Sequence, residues 1–396
     1  MAAPEGFRGI EELTLAHQRV LIRVDFDVPL DEQGGVADDR KLRDALPTIQ
    51  RAVKEGARVV LATHLGSGDE PPVSLEPVAA RLAELLGQEL YLPDECVGDA
   101  ARKVVSDLRD GQICLLENLR FVPEEAKNDD VLARKLLALC DVYVGEAFAQ
   151  SHQTRASLVA LPRLVKERGL GYRLQAEIEA LSRAVVNVHK PFVGVLGGDS
   201  LTRRMPLFEL MLRRCDAICV GGAVANTLLA ARSVDVKASL HERDQLALGR
   251  ALLGRARDAK VELILPVDAM VGAIREASDV SPASVGFIPE GRGAFDIGPR
   301  TVEAFRARVQ SAKTVLWHGA LGALENPAFS AGTRGVMTAL AEAAAFGIVT
   351  GDSLATAATE LDAELQSKIG FVSTGGVASL AFIEGKKLPG IEALRG

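Results

Sequence analysis

Three hundred and ninety-six residues, 48% hydrophobic and 25% charged, are ordinary globular values and more than one compact domain usually holds. The formal charge of −7 gives no general attraction to nucleic acid or anionic lipid. Any phosphate site must therefore be a local arrangement of basic groups and backbone amides. No apolar run reaches the ~18 residues of a membrane helix, and the opening MAAPEGFRGIEEL has neither the basic nor the apolar region of a secretion signal. Aromatics are 4%, so the cores must be aliphatic. Five scattered cysteines with no C-x-x-C pair fit reduced, buried thiols. A soluble, cytoplasmic two-domain protein is expected.

Short β-branched runs alternate with amphipathic stretches from end to end. In the first half the strands read VLIRVDF (20–26), RVVLATH (58–64), ELYLP (89–93), ICLLEN (113–118) and VYVGEA (142–147). In the second they read FVGVLGG (192–198), AICVGG (217–222), VELILPVD (261–268), TVLWHG (314–319), FGIVTG (346–351) and IGFVSTG (369–375). Segments such as LEPVAARLAELLG and TVEAFRARVQSA between them are apolar at helical spacing. This alternation means parallel sheets with right-handed crossovers. Eleven strands exceed what one such sheet usually carries, so the expected class is α/β with two doubly wound parallel-sheet domains. A helical pattern over about 173–186, ending before Pro191, predicts a stiff interdomain helix.

Ligands of open parallel sheets sit beyond the C-terminal strand ends. In the second half these ends are Gly197-Gly198-Asp199, Gly221-Gly222-Ala223, His318-Gly319-Ala320, Gly351-Asp352-Ser353 and Thr374-Gly375-Gly376. Small residues there leave free amides at helix starts, which suit an anion. Any single one is more often just a tight βα turn, but five in one half-chain favour a phosphate-lined crevice. Neither a Walker P-loop nor a G-x-G-x-x-G is present.

Taken in order, these strand ends resemble the phosphoglycerate kinase family over essentially the whole chain. The first-half markers are RVDFDVPL (23–30), ALPTI (45–49), HLG (64–66), LLENLRF (115–121) and EAF…SH…RAS (146–157). The later ones are VLGG (195–198), LPVD (265–268), FDIGPRT (295–301), WHGALGALE (317–325), GDS (351–353) and STGG (373–376). The resemblance implies an N-terminal 3-phosphoglycerate domain (1–172) completed by a returning tail (377–396), an interdomain helix (173–188) and a Mg-nucleotide domain (189–376). It also implies a cleft that closes to transfer a phosphoryl group to a carboxylate, a small-molecule substrate, Mg2+ with ATP or ADP, and a monomer.

The same resemblance places the triose site at Arg23, Asp25, Asp27, Lys41, His64, Ser67, Arg120, Gln153 and Arg155. Asp25, His64 and Arg120 keep the family residues. Asp27 replaces an asparagine, Ser67 and Gln153 replace arginines, and Lys41 replaces an arginine with loss of its bidentate fork. Ser67 and Gln153 each remove a positive charge and Asp27 adds a negative one, so the patch is about three units less positive. Charge-assisted phosphate contacts contribute about 1.5–3 kcal/mol each, so weaker 3-phosphoglycerate binding is expected, with Arg155 as a partial replacement.

In the second half the resemblance assigns Gly197, Gly198, Arg204, Gly221, Glu325, Gly351, Asp352 and Ser353 to the nucleotide. Asp352 is the Mg-binding acid and Glu325 the ribose acid. Ser200 stands where the family carries the lysine that neutralises the phosphoryl group in flight, next to Asp199, while Arg204 replaces a second lysine. Lys41 and Arg204 are the remaining cations assigned to catalysis. His318 replaces an asparagine, Val349 and Thr350 replace glycines, and Val377 replaces a glycine of the hinge-like STGGG. Two readings follow: a slow or retuned carboxylate phosphotransferase, or a non-catalytic paralogue binding a metabolite or a protein.

Overall fold

The computed structural model describes residues 4–66, 71–186 and 188–396. They divide into two compact units. The first runs to Glu179 and takes in Lys386–Gly396, and Ala180–Gly385 forms the second. The division falls inside the helix Tyr172–Val185.

The first unit holds six strands: β1 (Arg19–Arg23), β2 (Arg58–Ala62), β3 (Leu90–Tyr91), β4 (Ile113–Leu115), β5 (Val142–Gly145) and β6 (Glu167–Leu170). They form one parallel sheet in the order β3-β4-β2-β1-β5-β6. Both faces are covered by helices, so its central strands are short and almost wholly buried. The helix Arg40–Lys54 packs Leu42, Ile49 and Ala52 against Val20, Ile22, Val59 and Leu61. The chain spreads from β1 to β2 on one side and returns to β5 on the other, which puts the topological switch beside β1. The returning segment is anchored by Gly390, whose N–H donates to the Ser151 carbonyl at 2.9 Å, and by Ala393 packed against Ala147, Leu158 and Val159.

The second unit contains β7 (Phe192–Leu196), β8 (Ala217–Val220), β9 (Glu262–Ile264), β10 (Asp268–Gly272), β11 (Ser281–Ser284), β12 (Gly293–Ile297), β13 (Thr314–His318), β14 (Phe346–Thr350) and β15 (Gly370–Ser373). Six make a parallel sheet, β15-β14-β13-β7-β8-β9, and β11-β10-β12 form a separate antiparallel one. Trp317 on β13 is fully buried with Val193, Phe305, Val336 and Val349 in one aliphatic core. The switch point here lies between β7 and β13.

All eleven strands read from the sequence are present, each ending one to several residues early. The VDF of VLIRVDF shows the reason: Val24 and Phe26 are buried, but their backbone has left the sheet. Burial rather than pairing had extended the pattern. The sequence reading missed β6, whose ERGL carries two charges, and the antiparallel sheet, whose β11 is the polar SPAS. The five cysteines are buried and free, and burial pushes the Cys96 thiol up to about 11. Among the described residues no helix is long and apolar enough to cross a membrane.

Candidate active site

In the first unit the predicted triose residues converge on the C-terminal ends of β1, β2, β4 and β5. Lys41, in the first turn of Arg40–Lys54, bridges two of them. Its Nζ lies 3.2 Å from Asp25 Oδ2 and donates to the Asp27 carbonyl at 2.8 Å. Asp27 Oδ1 accepts from the Gly66 amide at 2.9 Å, and its other oxygen stands 3.9 Å from His64 Nε2. Burial raises the Asp27 carboxyl above its usual range, opposed by the Gly66 hydrogen bond and reinforced by Asp25. His64 is buried; burial first, and Arg23 second, push its pKa down to about 3, so the ring is neutral.

Arg23, at the end of β1, is fully buried and committed to structure. Its Nε donates to Ser157 Oγ at 2.8 Å and its Nη1 to the Val24 carbonyl. Arg120 sits in the turn Leu119–Phe121, capped by the Asn118 side chain. Its Nη1 lies 3.1 Å from where a Cβ on Gly66 would stand. Gln153 donates to Gln150 Oε1 at 3.0 Å and accepts from Arg155 Nε. Arg155 is close enough to Arg23 and Arg120 for their charges to oppose its own, with Glu125 offsetting them, although burial is the larger influence lowering its pKa. The cluster therefore gathers the cations Lys41, Arg23, Arg120 and Arg155 around Asp25 and Asp27. Ser67 lies outside the described residues.

In the second unit a cavity of about 530 Å³ opens beside the β7–β13 switch. Of the predicted nucleotide residues, Gly198, Arg204, Glu325 and Ser353 line it; Gly197, Gly221 and Asp352 are next to lining residues in the chain without being among them, and Gly351 is two residues from Ser353. Val236, Leu240, Val285, Ile288 and Phe295 supply apolar walls. The Gly197 amide donates to the His318 carbonyl at 2.9 Å and the Gly198 amide to the Ala320 carbonyl at 2.8 Å, which fixes this loop against β13. Gly198 has φ +110°, and a Cβ there would stand 3.2 Å from the Arg204 guanidinium. Asp352 and Ser353 open the helix Asp352–Thr359, and both are exposed.

Ser200, which the resemblance puts at the family's lysine position, is a helix cap. Ser200 Oγ accepts from the Arg203 amide at 3.2 Å and donates to Glu242 Oε1 at 3.0 Å. Glu242 Oε2 accepts from the amides of Leu201 and of Thr202, the latter at 3.1 Å. Asp199 pairs with Arg203 at 2.8 Å. Glu325 pairs with Arg275, also a cavity residue. Asp296 lines the cavity and accepts from the Gly332 and Ile297 amides at 2.7 and 2.9 Å, yet burial pushes its carboxyl up to about 7.

Glu242 and Arg275 were not found from the sequence. Glu242 lies in SLHERD, about forty residues from the loop it caps, and nothing in its local pattern marks it. The sequence did flag His318 and Thr350, but separately; in the structure they touch, His318 Nδ1 and Thr350 Oγ1 being 2.9 Å apart.

The family model described as phosphoglycerate kinase matches residues 10–386. The chain is 46% identical over 392 residues to the phosphoglycerate kinase of Anaeromyxobacter dehalogenans, covering 98% of each. It is 41% identical to that of Desulforapulum autotrophicum, with 97% of this chain and 99% of that one covered. Among solved structures, phosphoglycerate kinase from Coxiella burnetii superposes with a TM-score of 0.86 at 34% identity over 98% of both chains. That from Pyrococcus horikoshii gives 0.82 at 29% identity, covering 97% of this chain and 98% of that one. With a six-stranded parallel sheet in each unit and a match along nearly its whole length, the chain belongs to the phosphoglycerate kinase family.

Proposed function

We propose that the chain carries out the family's phosphoryl transfer, 3-phosphoglycerate + ATP giving 1,3-bisphosphoglycerate + ADP, at a lowered rate and with a weakened hold on the triose. The observation that carries this reading is the cavity holding Arg204 and Ser353 together with Glu325 and apolar walls. That combination suits a purine, a ribose and a chain of phosphates in one ligand. Asp352 would bind the Mg2+ that arrives with the nucleotide and Glu325 the ribose; the amides of Gly197, Gly198 and Gly221 are taken by the His318, Ala320 and Leu196 carbonyls rather than free, so these glycines and Gly351 would serve by letting the phosphates approach a backbone without Cβ atoms.

Lys41, Arg120 and Arg155 would hold the phosphoglycerate, with Asp25 orienting it. In the reaction a carboxylate oxygen bonds to the γ-phosphorus as the bridge to the β-phosphate breaks, and ADP leaves with the bridging oxygen. Such transfer depends mainly on positioning and charge. One missing donor typically costs about 2.7–4 kcal/mol of barrier. Ser200 supplies no charge and its hydroxyl is engaged with Glu242, which is why a reduced rate is proposed. The Ser200–Glu242 pair also favours the second reading, a non-catalytic paralogue that keeps the fold to bind a metabolite or a protein. Turnover with Mg-ATP and 3-phosphoglycerate, coupled to reduction of the acyl phosphate, separates the two.

A further inference from the structure

Behind the cationic cluster of the first unit lies a buried relay centred on Ser157. Its hydroxyl accepts from Arg23 Nε at 2.8 Å and donates to Glu125 Oε1 at 2.5 Å, and its amide donates to Glu125 Oε2 at 2.9 Å. Arg23, Glu125 and Ser157 are all buried. A hydroxyl can donate and accept at once, so Ser157 joins a buried cation to a buried carboxylate and leaves neither unpartnered. The backbone is gripped as well. The Glu125 carbonyl accepts from the Ala156 amide at 3.0 Å, and the buried Tyr143 hydroxyl donates to the Ser157 carbonyl at 2.9 Å.

The residue that this frame leads to is Arg155. Its carbonyl accepts from the amides of Leu158 and Val159 at 3.1 and 2.8 Å. A π-helical turn, Ala156–Ala160, begins directly after it, a form frequent at functional sites. The half-buried Arg155 side chain stands near Arg23 and Arg120, whose charges oppose its own. Like charges spread apart unless the chain holds them. Here the hold is double: the frame fixes the backbone after Arg155, and Gln153 Oε1 accepts from Arg155 Nε while Gln150 anchors Gln153 at 3.0 Å. Among the described residues Gln153 is the only hydrogen-bond partner of the Arg155 side chain, and no carboxylate pairs with it. Its Nη groups are left for a ligand.

We propose that Glu125, Ser157 and Gln153 are positioning residues that aim Arg155 at the phosphate of 3-phosphoglycerate. Gln153, which the resemblance puts at an arginine position, then acts by orienting Arg155 rather than by touching the ligand. The inference rests on the triose-site reading above and deepens it by naming what holds the replacement cation.

Titration of the full chain, followed by the phosphorus-31 signal of 3-phosphoglycerate, tests it. Absence of binding to the unaltered protein would overturn the triose reading and this inference with it. Ser157→Ala keeps every charge but cuts the link between Arg23 and Glu125, and should weaken binding about tenfold. Gln153→Met, at a partly exposed position, should weaken it about threefold to tenfold. Both act through Arg155, so in an Arg155→Met background each change should alter affinity by less than about twofold. Mg-ADP binding should stay the same throughout. Losses in the Arg155→Met background as large as in the parent would show that the frame serves the fold alone. Unchanged affinity in both Ser157→Ala and Gln153→Met would also overturn this inference, while leaving the triose reading in place.

Discussion

The Ser200 hydroxyl donates to the Glu242 carboxylate at 3.0 Å, and that carboxylate also takes the first amides of the helix Leu201–Arg214. A helix start carries free N–H groups and a partial positive charge, and here the chain's own carboxylate satisfies them. Ser200, which the resemblance puts at the family's lysine position, is thus part of a capping network. Removing a cap residue costs ~1 kcal/mol. Ser200→Ala and Glu242→Ala should each destabilise the second unit by about that amount, and the double variant should lose less than the sum because the two share one network. Trp317, the only tryptophan, lies in this unit, so its fluorescence during urea unfolding reads the effect directly.

Placing a cation at the loop should restore rate at the expense of that cap. Ser200→Lys with Asp199→Ala is expected to raise kcat at saturating substrates by tenfold or more, up to the hundredfold to thousandfold that about 2.7–4 kcal/mol represents, and to lower the unfolding midpoint of the second unit. The Asp199 change also releases Arg203 from its 2.8 Å ion pair. An unchanged kcat would mean that this loop does not limit the reaction.

Much of the fold was legible because parallel strands buried on both faces are short apolar runs punctuated by glycine. β7, β13 and β14 all read that way. β6 and β11 did not, since an edge strand of ERGL or SPAS owes its form to its neighbour rather than to its own residues. At the site, the chain order of motifs pointed to Lys41, Arg120, Arg204 and Glu325. It could not show that the Arg23 guanidinium is spent on Ser157 and the Val24 carbonyl. Nor could it show that Glu242, remote in sequence, would close the helix start beside Ser200. Such pairings depend on tertiary approach and leave no periodicity.

Asp27 offers a clean test of charge in the triose site. Its Oδ1 accepts from the Gly66 amide, a bond that an asparagine carbonyl would keep. Asp27→Asn should therefore preserve the Gly66 contact, remove one negative charge beside Lys41 and Arg120, and tighten 3-phosphoglycerate about tenfold in calorimetry. Lys41→Met should act in the opposite direction, leaving Asp25 and Asp27 without their shared cation, and Lys41→Arg should restore binding. Equal affinity in all three variants would remove this cluster from the substrate site.

Glu146 gives a pH signature. It is fully buried, accepts from the Thr48 hydroxyl at 2.5 Å and from the amides of Arg173 and Leu174 at 3.1 Å each, and burial still lifts its pKa from 4.5 to about 7. The folded chain holds this proton where the unfolded chain has lost it. Its contribution is therefore complete below pH 4.5 and disappears as pH rises through 7, an interval worth roughly 3 kcal/mol. Glu146→Gln should remove that slope, so the stability difference between variant and parent should shift in the variant's favour from pH 5 to 8. A pH-independent difference in urea midpoints would show that Glu146 is ionised throughout.

The most direct measurement is steady-state turnover with Mg-ATP and varied 3-phosphoglycerate, with the acyl phosphate trapped by reduction. Transfer that depends on both substrates, below the ordinary kinase range of about 1–100 per second, with a high KM for 3-phosphoglycerate and a rise in kcat on Ser200→Lys with Asp199→Ala, is the expected result. No acyl phosphate at saturating substrates would contradict phosphoryl transfer. A rate in the ordinary range with tight 3-phosphoglycerate binding would contradict the charge deficit at Ser200 and Asp27.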